Sequence, residues 1–409
     1  MTDSAYSVQF VDSVQQVPEL LWETCFAPPL EGRWWYESLE RASLEDQFTF
    51  RYAVISHSGR PVGLAPMFTM DVPIELVAPP EAMPVLRFIG RFRPASLYQR
   101  TLFIGSPCSD EGTIGFMGGV DRRAALLSLQ TAFEKMARQI RAPMLVWKDF
   151  PRSFEKDLSW LAFRRGLFPM ISFPGTVADL PSRRKEDYLE KLKGSRRHAL
   201  RKKLRRSAEA VAITTDVIQR PDSETLDEIF GLFMQTYEKA TTKFERLNRR
   251  FFEAIAEQPV SHFVTLREAA SGQMIAFMLC FEVGDRVINK FIGLDYKRPK
   301  EWALYFRLWE AAVDWSLAKG YSSIQSGQTG YRPKIETGHA LVPLTNYCRH
   351  RNFLLHRIYS HVAKTINWHT LDDHLAVFLK AHPEAAPVIG QAARSHDVSE
   401  PDLAPAAGV

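Results

Sequence analysis

The sequence predicts an α/β protein of two tandem modules, each a mixed β-sheet flanked by helices. Three observations predict it. The 409 residues are 45% hydrophobic and 24% charged, an ordinary globular composition with chain enough for two or three domains. Apolar runs of strand length alternate with amphipathic helical stripes. The order of these elements in the second half, β-β-β-α-β, returns more loosely in the first.

In the second half, SHFVTLRE and QMIAFMLCFE are β-prone runs with Gly272 in the turn between them. After Gly284-Asp285, RVINKFIGLDY reads as a third strand. Leu304, Leu308, Ala311 and Trp315 then form one helical stripe, and Gly320 stands where a C-terminal cap belongs. YSSIQSG reads as the closing strand. In the first half, FRYAVISH and PVGLAPMFTM flank the turn Ser58-Gly59-Arg60. Leu126, Leu129, Phe133, Met136 and Ile140 mark a helix that Pro143 breaks, and MLVWKD follows as a strand. The Pro-rich segment 71–100, with Pro73, Pro79, Pro80, Pro84 and Pro94, suits a long irregular loop.

Between the halves lie a helix-like stretch near Phe154–Arg165, a strand-like TVADL and a basic segment. These features place one module at 1–178 and a second at 179–375, with a disordered Ala/Pro-rich tail at 394–409. Charge is concentrated. Ser182–Arg206 carries twelve Lys or Arg against three acids, while the other 384 residues carry 40 basic and 44 acidic groups. Gly194-Ser195 divides the segment, with Ser195 read as the cap of its second helix. Leu200, Leu204 and Val211 give that helix a narrow apolar stripe. Such density of cations, Arg201 and Arg205 among them, fits an anionic partner. Neutralisation by the protein's own acidic remainder is the alternative.

Other classes lack support. Cys25, Cys108, Cys280 and Cys348 are too sparse for a disulfide scaffold and form no C-x-x-C pair. His339, His350, His356 and His361 do not have metal-ligand spacing, so no metal is expected. There is no G-x-S-x-G, P-loop or G-x-G-x-x-G motif. The N-terminus shows no signal peptide and no window is apolar enough for a membrane span, so a cytoplasmic location is expected.

Three stretches carry a family resemblance: TVADLPSRRKEDYLEKLKGSRRHALRKKLRR, GQMIAFMLCFEVGDRVINKFIGLDY and LYFRLWEAAVDWSLAKGYSSIQSGQTGYRPKIETG. In order and content they resemble the Gcn5-related N-acetyltransferase (GNAT) superfamily, and within it the Fem-type aminoacyltransferases and their FemAB-like sister family. The resemblance implies two tandem GNAT-like modules, with substrates meeting where the strands ending at FIGLDY and YSSIQSG splay apart. It implies an N-acyltransferase that joins an activated acyl or aminoacyl donor to an amine acceptor by direct attack. One departure concerns the donor. The loop that in acetyl-CoA enzymes is Gly-rich and cradles pyrophosphate here reads Lys297-Arg298-Pro299-Lys300-Glu301-Trp302. It has no glycine, and Pro299 removes an N–H donor. The donor is therefore open between acyl-CoA, acyl-carrier protein and aminoacyl-tRNA. No tightly bound cofactor is expected, and the basic helix 196–206 is the expected docking place for a carrier protein or tRNA. A non-catalytic binder of a nucleotide-linked or cell-wall precursor, or a nucleic-acid binder, is the alternative.

The candidate site residues cluster at the C-terminal ends of those two strands. Asp295 is a candidate proton acceptor, although Asp also suits a strand-end turn. Tyr296 follows it. Tyr305 is a candidate proton donor or a core tyrosine. Lys290 interrupts an apolar strand. It either lines the cleft or snorkels outward. Ser326–Gly338 concentrates Gln328, Tyr331, Lys334 and Glu336 beside two glycines, in a loop after a buried strand. By resemblance, Lys334 matches a recurring lysine that suits a phosphate or carboxylate contact. The second module is expected to hold the chemistry and the first to complete the cleft.

Overall fold

The computed structural model describes residues 6–74, 91, 97–240 and 245–387. Most of the Pro-rich segment and the whole expected tail lie outside the described residues. The first half supplies β1 (Tyr6–Val11), α1 (Glu19–Cys25), α2 (Arg33–Arg41), β2 (Thr49–His57), β3 (Arg60–Pro73), β4 (Tyr98–Ile104), β5 (Gly115–Phe116), α3 (Arg122–Gln139), β6 (Met144–Pro151), α4 (Glu155–Arg165) and β7 (Phe168–Ile171). There follow β8 (Gly175–Asp179), α5 (Lys185–Lys191), α6 (Gly194–Ala210), β9 (Ile213–Ile218), α7 (Ser223–Lys239), α8 (Arg249–Ala256), β10 (Ser261–Glu268), β11 (Met274–Val283), β12 (Arg286–Leu294), α9 (Leu304–Lys319) and β13 (Ser323–Ser326). The chain continues through α10 (Tyr331–Glu336), β14 (Ala340–Val342), β15 (Leu344–His350), α11 (Phe353–Ala363), α12 (Trp368–Leu371) and α13 (Asp373–Ala381).

These strands form two mixed sheets with one repeated plan. The first runs β1-β2-β3-β4-β6-β15-β7, with β5 beside β3, and the second β14-β8-β13-β12-β11-β10-β9. Each holds one parallel pair, β4 with β6 and β12 with β13, and its other pairings are antiparallel. The internal repeat is therefore physical, and the third strand of the first copy is Tyr98–Ile104, hidden in sequence behind the Pro-rich segment.

The division expected at 178/179 needs correction, because the chain crosses between the sheets twice. It leaves the first after β7 and joins the second as β8, then leaves the second after β14 and returns as β15. Each sheet is closed by strands from both sides of the division. The two crossings lie side by side, with the Ser172 N–H donating to the Leu344 carbonyl at 3.0 Å. The basic segment also differs in detail. Lys193, not Ser195, is the N-cap of α6, and no side chain caps it. The pair β9 and α7, with α8, fills the stretch between the basic segment and β10 that the sequence pattern had not resolved.

Burial explains the run of apolar residues in β11, which has both faces covered. Met278 and Cys280 pack under α9. Phe277, Leu279 and Phe281 join a core that also holds Trp22, Trp35 and Leu39 of α1 and α2, and Phe251 and Phe252 of α8. That core spans both sheets, so the modules cannot separate without exposing it. Gly293 of β12 permits the close approach of α7: a Cβ there would stand 2.7 Å from the Leu232 carbonyl carbon and 2.3 Å from the Phe277 ring. We expect Gly293→Ala to destabilise the protein by about 1–3 kcal/mol, the usual cost of overpacking, measured by urea denaturation. An unchanged midpoint would show that α7 gives way freely.

Candidate active site

The site begins with a register break. Asn289 is the last residue of β12 paired to β13, opposite Ser326. On the other flank Cys280 pairs with Asn289 and Leu279 with Phe291, leaving Lys290 as the extra residue of a bulge. A bulge bends the strand and re-aims a side chain. Here bulge and splay coincide: β12 runs on to Leu294 without β13 beside it. The gap opens into a cleft of about 1060 Å³. Its walls are the free end of β12, the last turn of α7, the first turn of α9, the loop 327–330 with α10, and the residues joining α12 to α13.

Seven of the ten residues singled out in the sequence line this cleft: Lys290, Tyr296, Tyr305, Gln328, Tyr331, Lys334 and Glu336. Gln328 donates to the Phe173 carbonyl at 3.3 Å and Tyr331 to that of Pro174 at 2.9 Å. Both tie the loop to the first crossing. Gly330, at φ +67°, starts α10 in a conformation that favours glycine. Glu336 accepts from Lys203 at 2.8 Å and Arg332 at 3.1 Å. Burial opposes its charge, but these two cations hold its carboxyl below the ordinary range. Lys239 lies over the Tyr296 ring at 3.6 Å.

Three residues are not brought to the cleft. Asp295 is buried, but its carboxylate is engaged by the Lys297 N–H at 3.1 Å and the Arg298 guanidinium at 2.9 Å. It builds the strand-end turn. Arg201 and Arg205 point to solvent from α6, with Arg205 near Glu209 at 3.9 Å. The basic helix instead reaches the cleft through Lys203, which also covers the Phe306 ring at 3.5 Å.

Two buried lysines stand in opposite environments. The Lys290 side chain is 1% exposed, paired with Glu31 and, at 3.3 Å, with Asp110. It lies 4.7 Å from the centre of the Trp35 ring. Burial works against its charge, yet Asp110 and Glu31 outweigh it and raise its pKa. The Lys334 ammonium has the Gly327 carbonyl as its one hydrogen-bond partner among the described residues. Burial lowers its pKa to about 8, with Asp110 a weaker opposing influence. His339 lies behind it. Its Nδ1 is 3.0 Å from the Lys334 carbonyl and its Nε2 3.2 Å from Ser326 Oγ. Burial and the Lys334 charge lower the His339 pKa to about 3, so its ring is neutral at physiological pH. The Tyr305 hydroxyl is buried and has no partner among the described residues. Burial raises its pKa, keeping it a protonated donor. One Asp110 carboxylate oxygen is likewise buried and unpartnered.

Glu31 and Asp110 had no local signal in the sequence. They are 259 and 180 residues from Lys290, and only the packing of the first sheet's loops against β12 brings them there.

Comparison with known proteins bears on the family and the fold. Residues 180–371 match the FemAB-like family, described as peptidoglycan biosynthesis/recognition. No curated protein matches the chain. Among solved structures, FemX is 12% identical, with 86% of this chain and 100% of that chain covered at a TM-score of 0.55. A tandem GNAT protein from the clavulanic acid biosynthesis pathway, solved without AcCoA, is also 12% identical, covering 85% of this chain and 99% of that one at 0.50. The fold is that of the tandem GNAT proteins. Within that class, residues 180–371 are FemAB-like.

Two substitutions test the site. Removing the Lys290 ammonium strands two buried carboxylates, so Lys290→Met should cost about 3–5 kcal/mol. The triple change Lys290→Met, Glu31→Gln, Asp110→Asn should recover most of that loss in the same denaturation assay. Tyr305→Phe removes a buried hydroxyl that lacks a partner, so stability should hold or rise by about 1 kcal/mol. A fall in stability would mean that the hydroxyl is bonded within the fold.

Proposed function

We propose that the protein is an N-acyltransferase that moves an acyl or aminoacyl group from an activated donor to an amine acceptor in the cleft at the β12–β13 splay. The observation that carries this reading is the pairing, in one cleft, of a buried lysine with a depressed pKa and a buried tyrosine hydroxyl with no partner. The acceptor nitrogen attacks the donor carbonyl carbon and a C–N bond forms. The bond to the carrier oxygen or sulfur then breaks. The nitrogen loses its proton to neutral Lys334, whose N–H still donates to Gly327 while its lone pair is free. Tyr305 donates to the developing oxyanion or leaving atom. Lys290, engaged by Glu31 and Asp110, fixes the wall of the cleft at the splay. The family description favours an amine-bearing cell-wall precursor as acceptor.

For the donor, the 297–302 turn supplies no glycine cradle for a pyrophosphate. Arg298 is occupied by Asp295 at 2.9 Å and Glu268 at 3.2 Å. The exposed cations of α6 favour a large polyanionic carrier, and we take aminoacyl-tRNA as the donor. Its binding should weaken steeply with salt.

The pH dependence follows from Lys334. Its folded value of about 8 lies below the roughly 10.4 of an unfolded lysine. Between the two the unfolded chain holds more protons, so stability should rise with pH across that interval and be lost as pH falls through about 8. Initial rates of amide formation should climb along a limb with an apparent pKa near 8. Lys334→Met should lose about 10²–10⁴ in kcat together with that limb. Survival of the limb in the variant would remove Lys334 from the proton transfer.

A further inference from the structure

We propose that α11 docks the protein on an anionic phospholipid surface. Ten large hydrophobic side chains are exposed among the described residues, and four of them share this one helix: Phe353 at 67%, Leu354 at 69%, Leu355 at 39% and Ile358 at 52%. Isolated exposed apolar residues need no explanation, whereas a contiguous set on one element marks a contact surface. The other side of the helix is settled. His356 meets the Phe168 ring at 5.2 Å, and Tyr359 and Ala363 pack against Val146 and Cys348. The helix is anchored to β7 and β15 by one side while its apolar side faces water.

Charge identifies the occupant. Residues 337–371 contain Arg349, Arg351, Arg357 and Lys364 and no Asp or Glu. Arg349 is paired with Glu134 at 2.6 Å. Arg351, Arg357 and Lys364 are exposed and have no ion pair among the described residues. Apolar side chains rimmed by unpaired cations match a bilayer with anionic headgroups: Phe353, Leu354 and Ile358 enter the acyl boundary and the cations meet phosphates. A second copy is a poorer occupant. Packing two such helices together would bring their cations close with no acid in the stretch to offset them.

The placement has a consequence that rests on the proposed function. Four residues after α11, α12 begins, and Thr370, Leu371, Asp372 and Asp373 line the cleft. Docking by α11 holds the cleft mouth near the lipid surface, which suits an acceptor whose amine is carried on a lipid-linked molecule.

The test uses the full chain and sedimentation with phosphatidylcholine vesicles, with and without phosphatidylglycerol. Binding is expected to the mixed vesicles and to be weaker by at least about tenfold on phosphatidylcholine alone. Phe353→Ser with Leu354→Ser and Ile358→Ser should abolish it at an unchanged melting temperature, since all three side chains are exposed. Arg351→Glu, Arg357→Glu and Lys364→Glu together should remove the preference for phosphatidylglycerol. Equal binding by the serine variant, no binding by the natural chain, or a dimer in solution that the serine changes dissolve would each overturn the proposal. Transfer to a soluble amine should be unaffected by the serine changes. Loss of vesicle binding therefore reads on docking, and loss of transfer reads on the catalytic assignment.

Discussion

The ammonium of Lys290 is the contact around which the site is organised. It lies at the bulge where β12 leaves β13, and it joins three side chains that the sequence keeps far from it. Glu31 belongs to the segment between α1 and α2, Asp110 to the loop after β4, and Trp35 to the core that spans both sheets. Burying three charges is expensive, and an apolar replacement could pack as stably. What the ion cluster supplies is geometry. It fixes the first sheet's loops against the point where the second sheet opens.

That arrangement also explains why two copies of one fold behave differently. Each sheet has a parallel pair with room to splay. In the first, the loop after β4 folds back onto β6: the Gly112 N–H donates to the Asp149 carbonyl at 2.7 Å, and a Cβ on Gly112 would strike the Lys148 carbonyl oxygen at 2.0 Å. The loop occupies its own module's gap and delivers Asp110 to the other. In the second, the corresponding turn after β12 is tied to its own strand end by Asp295 and Arg298, so the gap remains a cleft.

Local pattern was enough for the elements of the second sheet. Residues 274–281 are apolar throughout because both faces are covered, and the polar loop 326–338 after a buried strand drew attention to Lys334. Local pattern failed where partners are remote. Asp295 stands where a catalytic carboxylate would, but Arg298, three residues on, takes it. Arg201 and Lys203 are indistinguishable as letters in a basic run. Only the packing of α6 against α9 and α10 decides which of them reaches the cleft. The exchange of β8 and β15 between sheets has no sequence signature, because a strand's pattern says which face is buried and not which sheet it joins.

The two buried lysines show how environment divides one chemistry between two roles. The same side chain, withdrawn from water at both places, is held charged at 290 by two carboxylates and pushed toward neutrality at 334, where a carbonyl is its one hydrogen-bond partner among the described residues. A permanently protonated amine paired with two carboxylates can hold the site together but cannot take up a proton. A group that titrates near working pH can do so and release it again. His339, its ring neutral, fixes the backbone that carries Lys334. Exchanging the two environments would place a fixed cation where the proton must go. For that reason the acidic pair belongs at 290, on the module seam, and at 334 Asp110 acts too weakly to offset burial.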